Sequence, residues 1–301
     1  NIMEIALLLE DVTEYCGKEL GKYNLNWGSA GNGIKAAATF LEEFDKASIE
    51  YIYFGNEFCE YRIPTIVQFK RMFELCEKEK IKLVLVTPVV TDYGIERISQ
   101  LLDFIAEQDY LLDIVVNDVG VLQLINQKKI ECAIIAGRIL DKTSHDSRAS
   151  AKELDLYYGK NGKKFAMTPG VISGQALQVY QKYGIDRFEF DLPKIGLDIP
   201  KNIKSSVYWP YSYLTTGRVC MLRATELNGN RKFLVGNRGC GQLCRKYQVE
   251  KRKPINGFGF ENKDRITDLF LFQRGNTVFF INRYDDFKPF IKKFNRLIVQ
   301  I

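Results

Sequence analysis

The sequence predicts an α/β protein built as a (β/α) TIM-barrel-like fold, complete or distorted, with an open doubly wound sheet as the alternative. Two observations carry this. Between residues 22 and 140, short apolar runs alternate with amphipathic stretches at least five times, as strands joined by crossover helices do. The runs themselves, such as YIYFG at 51–55 and KLVLVT at 82–87, are apolar almost throughout, as parallel strands covered on both faces are. Length agrees, since 301 residues suit one α/β barrel.

Taken in order, residues 2–20 place Ile5, Leu8, Leu9, Val12, Tyr15 and Cys16 on one helical face. That spacing predicts an N-terminal helical extension over 1–21, packed outside the main body. KYNLNW at 22–27 reads as the first strand. The following GSAGNG at 28–33 lacks the G-x-G-x-x-G order and a Lys-Ser pair after it, so it reads as a turn opening a helix rather than a phosphate loop. That helix turns Ile34, Ala37, Ala38, Leu41 and Phe44 inward. The strand at 51–55 is followed at once by Cys59, and Pro64 suits the first turn of a helix carrying Ile66, Phe69, Phe73 and Cys76. Strands follow at 82–87, 113–117 and 131–136, with helices at 95–106 and 119–127. A polar segment over 141–164 holds the only histidine, His145. The pattern resumes with a helix at 173–183, the strand RFEF at 187–190 and an aromatic strand-like run at 207–213. Runs at 268–273 and 277–282 flank Arg-Gly-Asn and read as a hairpin, and a helix over 287–297 ends the chain. With no repeat or linker, residues 1–301 form a single domain.

Composition is that of an ordinary soluble globular protein, 46% hydrophobic and 27% charged. No run is long and apolar enough for a membrane span, and no export signal precedes the first elements. Seven cysteines, an odd number unevenly spread, fit a reducing, cytoplasmic setting better than a disulfide framework.

The most informative stretch is the cysteine-rich region 205–254. Residues 218–245 hold Cys220, Cys240 and Cys244, the last two as C-x-x-x-C flanked by Gly239 and Gly241. Such spacing lets two thiolates face one centre, and the glycines allow a tight, positive-φ loop. From Arg238 to Lys253 six cations face one anion, Glu250, a net of +5 against +6 for the whole chain. Cations favour the thiolate that ligates metal, can offset a cluster's charge, or can hold an anionic substrate. Cys59, in the loop after an early barrel strand, reaches the same rim on barrel closure and is the expected fourth ligand, with Cys16 in reserve. Cys76 and Cys132 fall on apolar faces and read as core. Ligand type alone admits an iron–sulfur cluster, a structural zinc or unligated thiols.

Other candidates are weaker. Glu189 and Asp191 straddle the end of RFEF, a place for acid–base or substrate-orienting carboxylates. His145 is a candidate base in an exposed loop. Glu57, Glu60 and Arg62 flank Cys59 and read first as salt-bridged surface charges. Tyr208, Trp209, Tyr211 and Tyr213 read equally as strand packing or as the lining for an aromatic ligand. A single histidine and no G-x-S-x-G give little support to a serine hydrolase. The tract 245–253 keeps RNA binding open.

YFGNEFCEYR at 53–62, Arg218-Val-Cys220 with Arg223, and Cys240-x-x-x-Cys244-Arg-Lys-Tyr247 together resemble the collagenase-like peptidase family U-thirty-two, nearest its UbiV-like iron–sulfur branch. The resemblance runs from Lys22 to about Tyr247, including 131–138 and 174–192. It implies that Cys59, Cys220, Cys240 and Cys244 hold a [4Fe–4S] cluster. It also implies an oxygen-independent hydroxylation of a quinone precursor or RNA base, prephenate as oxygen donor, and a related subunit as heterodimer partner. The peptidase members carry a glutamate eight residues before the first late cysteine, in E-x-F-x-x-G-x-M-C. Here Ser212 stands there and only Gly217 fits, which makes a peptidase the secondary expectation.

Overall fold

A computed structural model describes residues 3–25, 32–108, 111–141, 143, 151–193, 195–226, 229, 239–251 and 271–301. Eight strands close into an all-parallel barrel in the circular order β1 (Glu4–Leu9), β2 (Tyr51–Gly55), β3 (Lys82–Val86), β4 (Asp113–Val116), β5 (Ala133–Ala136), β6 (Arg187–Phe190), β7 (Lys204–Trp209), β12 (Arg296–Gln300). Around it run α1 (Asn32–Phe44), α2 (Ile66–Glu79), α3 (Asp92–Ala106), α4 (Val119–Lys128), α5 (Ala151–Met167, kinked at Gly159), α6 (Gly174–Lys182) and α8 (Tyr284–Ile291). None of the described helices is long and apolar enough to cross a membrane.

Two expectations are corrected at the barrel's seam. The first apolar stretch is not an added helix but β1, paired in parallel with both β2 and β12. Ile5, Leu7 and Leu9 pack outward under the helices while Ala6 and Leu8 face the barrel interior. A strand buried on both faces shows an unbroken apolar run, and over six residues such a run also satisfies a helical face. The final stretch errs the same way: α8 ends at Ile291 and Arg296–Gln300 is the closing strand. The expected strand at 22–27 is also not formed among the described residues. Leu20–Lys22 is a 3₁₀ turn and Tyr23–Leu25 is irregular, while residues 26–31 lie outside the described residues.

The interior is lined mainly by apolar and tyrosyl side chains, with the Glu189 carboxyl buried among them and a polar cluster at the amino-terminal floor. At the amino-terminal floor, Arg296 lies 3.5 Å over the Tyr51 ring and bonds Glu4 at 2.8 Å and the Tyr53 hydroxyl at 2.8 Å. Such a pairing is what allows a guanidinium to be 2% exposed.

Between β7 and α8 the chain makes a cap over the carboxyl-terminal mouth. It consists of α7 (Met221–Thr225) and an antiparallel sheet ordered β8 (Tyr211–Thr216), β11 (Thr277–Ile281), β10 (Leu271–Arg274), β9 (Val249–Lys251). The run 207–213 is therefore two strands, split at Pro210 between barrel and cap. The predicted hairpin is present as β10–β11, turning at Gly275 and Asn276. Phe272 and Phe279 stack at 5.5 Å and pack with Tyr211, Tyr213 and Phe58. Phe58 belongs to the β2 loop, so its ring ties cap to barrel.

Candidate metal centre at the barrel mouth

Cys59 is positioned by the end of β2. Gly55 has φ +134, and a Cβ there would lie 2.3 Å from the Val86 carbonyl oxygen of β3, so only glycine lets the strands stay paired at this point. The next residue, Asn56, accepts from the amides of Phe58 (3.0 Å) and Cys59 (2.8 Å), an Asx turn that swings Cys59 over the mouth. Cys59 then caps the 3₁₀ turn Glu60–Arg62.

The other three sulfurs come from the cap. Cys220 caps α7, its Sγ accepting from the Arg223 amide at 3.4 Å. Cys240 and Cys244 flank Gln242, the residue in the left-handed region (φ 53). This corrects the expected role of the flanking glycines, neither of which has positive φ. At Gly241 an added Cβ would meet Glu226 Oε1 at 2.2 Å, the end of an exposed side chain that can move aside. The left-handed turn aims the Gln242 amide at the Tyr61 carbonyl, 2.7 Å away. Asn276 donates to the Phe58 carbonyl at 2.7 Å, Arg274 pairs with Glu10 and Arg245 with Asp11, both at 3.2 Å. These contacts hold the cap against the loops after β1 and β2.

As a result Cys59, Cys220, Cys240 and Cys244 line one cavity of about 110 Å³, the size class that accepts a compact guest. All four are free thiols. Burial pushes the Cys59 thiol up to about 12, and Cys244, Cys240 and Cys220 each add to the rise, because four neighbouring sulfurs resist sharing negative charge. Burial also raises Cys240. The amides of Tyr61 and Gln242 act oppositely on Cys59 and Cys240, as N–H donors to a thiolate do. Among the described residues, no group of three or more His, Cys, Asp or Glu is set to hold a single metal ion as it stands. The fit to a polynuclear cluster rests on the four-thiol donor set and its shared cavity.

The cations facing these thiols are mostly not the ones a charge count singles out. Arg62, Arg218, Arg223 and Arg274 line the cavity, and all lie outside 238–253. Within that tract Arg245 is tied to Asp11, while Arg238, Arg252 and Lys253 lie outside the described residues. Cys16 is exposed and does not line the cavity. Cys76 is core, and Cys132 packs beside it.

Beside the thiols sits a buried clamp that sequence reasoning missed. Arg138, directly after β5, is 1% exposed. It bonds Glu57 through Nε (2.9 Å) and Nη2 (2.6 Å), and Asp191 (2.5 Å) and the Tyr211 carbonyl (2.9 Å) through Nη1. Its guanidinium lies 3.9 Å over the Tyr208 ring. Asp191 also accepts from the Tyr213 amide at 3.0 Å. The available signal was a lone arginine past the end of a barrel strand, where functional groups gather.

Several expectations change accordingly. Glu57, Glu60 and Arg62 are buried, not surface charges. Glu60 serves α3, accepting from Thr91 N (2.8 Å) and Oγ1 (2.7 Å). Glu189 and Asp191 are fully buried and neither lines the cavity. Of the four aromatics only Tyr211 does, and the rest pack. His145 lies outside the described residues. Ser212 is buried and accepts from Asn282 at 2.7 Å, so this side chain serves packing inside the cap.

Glu189 sits in the barrel's centre, where Tyr208 donates to its Oε2 at 2.6 Å. Its Oε1 has no hydrogen bond among the described residues, with the Tyr53 hydroxyl as a near neighbour. Burial lifts its carboxyl from 4.5 to about 7. An acid raised in the folded state contributes stability below its unfolded pKa and loses it as pH rises through the folded one, here roughly 3 kcal/mol in all. Urea unfolding at about pH 4 and about pH 8.5 should show wild type losing that amount relative to Glu189→Gln. Parallel pH profiles would show that the Glu189 carboxyl titrates alike in the folded and unfolded chain.

No family model, curated protein or solved structure matches this chain.

Proposed function

We propose that the chain is an iron–sulfur protein whose Cys59, Cys220, Cys240 and Cys244 hold one [4Fe–4S] cluster beneath the cap. The observation that carries the reading is the meeting of four free thiols, one from the β2 loop and three from the cap, on a single cavity. When bound, such a cluster supplies one-electron transfer or, with an iron opened to substrate, a Lewis-acidic centre. The protein's share is charge, hydrogen bonding and exclusion of water. Arg62, Arg223 and Arg274 lower the cost of gathering thiolates, the Tyr61 and Gln242 amides face two of the sulfurs, and the Phe272–Phe279 layer shields one side. Arg138, clamped by two carboxylates, is a positioning residue that fixes the loop carrying Cys59 and the start of the cap.

The reaction served is proposed through the resemblance to the collagenase-like peptidase family: oxygen-independent hydroxylation of a quinone precursor or RNA base, together with a related subunit. The barrel supports that reading by placing the four thiols at the mouth where α/β barrels keep their chemistry. Protein purified without air should be brown, with a broad band near roughly 400 nm from thiolate-to-iron charge transfer. Cys240→Ser should lose it. Incubated anaerobically with prephenate, its partner subunit and a quinone precursor or RNA, it should yield product with one added oxygen. A colourless protein cleaving collagen peptides would favour the peptidase instead.

A further inference from the structure

Arg62 has an unspent donor. Its side chain is only 5% exposed and one guanidinium nitrogen pairs with Glu10, yet its Nε has no hydrogen-bond partner among the described residues. A buried guanidinium N–H without an acceptor is costly, and an orphan in a binding site points to a group that bonds it when bound. The neighbouring arginines differ in this respect. Nε of Arg138 bonds Glu57 (2.9 Å), Nε of Arg223 bonds the Gly239 carbonyl (2.9 Å) and Nε of Arg274 bonds the Cys244 carbonyl (3.2 Å). Arg62 lines the cavity with all four thiols, three residues after Cys59. Glu10, which also bonds Asn56 and Arg274, anchors the far end of the guanidinium.

We infer that Arg62 is a positioning residue for the bound cluster, donating its Nε–H to a cluster sulfur and thereby raising the reduction potential. The inference rests on the cluster reading. A donor to sulfur stabilises the reduced, more negatively charged state more than the oxidised one. Lysine keeps the charge and can reach Glu10, but it has no nitrogen at the Nε position.

Three measurements on anaerobically loaded protein test this. In a redox titration, Arg62→Lys should retain its iron while its reduction equilibrium shifts about tenfold toward the oxidised form, about 59 mV lower for one electron. Glu10→Gln leaves Nε in place and removes a nearby negative charge, so its potential should move the opposite way. Wild type grown on arginine labelled with ¹⁵N at Nε should show nitrogen hyperfine coupling in the reduced state by pulsed electron paramagnetic resonance. That third experiment needs no variant to fold. An iron-loaded Arg62→Lys with an unchanged potential, or a labelled wild type without coupling, overturns the role of Arg62 and leaves the cluster standing. Wild type that takes up no iron defeats the cluster reading itself.

Discussion

Replacing Arg138 with alanine is expected to destabilise the protein by about 3–5 kcal/mol at neutral pH, measured by urea unfolding. The dominant cause is the pair of carboxylates left without a counter-charge, with the missing side-chain volume a smaller one. Glu57 and Asp191 are both fully buried, and burial already holds each above the usual carboxylate range despite the opposing pull of Arg138. Without the guanidinium, either their charge is buried unpaired or a proton must be taken up. The penalty should therefore shrink as pH falls, since protonation relieves it and both states then bind equal numbers of protons. Arg138→Lys should fail almost as badly, because an ammonium cannot bond Glu57 bidentately and Asp191 at once. The triple change Arg138→Met, Glu57→Gln, Asp191→Asn should recover much of the loss. If Arg138→Ala alone costs less than about 1 kcal/mol, the clamp is not a buried ion network.

The second large effect is expected at Gly55. An alanine there must hold φ near +134 with its Cβ 2.3 Å from the Val86 carbonyl oxygen. That oxygen belongs to the strand paired with Gly55, so the overlap is relieved only by parting β2 from β3. Backbone strain and overlap together should cost roughly 3 kcal/mol or more. Because Asn56–Cys59 follows directly, the variant should also lose metal uptake. Gly217→Ala is the matched control, with nothing within 4 Å of its Cβ and no positive φ, and should stay within about 0.5 kcal/mol of wild type. Equal stability of the two variants would remove the steric account of the β2 loop.

The barrel was legible because its strands are covered on both sides and so appear as unbroken apolar runs with amphipathic helices between them. The same property hid its seam. IALLL at 5–9 and LIV at 297–299 carry no period-2 alternation, since inner and outer faces are both apolar, and helical spacing fits them equally well. The cysteines were legible from spacing and from the end of the YIYFG strand. What joins them was not, because the cap's arrival over β2 depends on single polar contacts such as Asn276 to the Phe58 carbonyl. Arg62 and Arg138 were illegible in their true environment: an arginine's burial is decided by which carboxylates the fold brings to it, and Glu10, Glu57 and Asp191 come from three different loops. A charge count also pointed to residues 238–253, whereas the arginines at the cavity are dispersed over the chain.

The most direct test is the iron and acid-labile sulfide content per chain, determined without air for wild type and for Cys59→Ser. If one early and three late sulfurs share a centre, wild type should hold about four of each, and the single early substitution should abolish or sharply reduce both. Iron-free wild type, or a Cys59→Ser protein as fully loaded as its parent, would contradict the account.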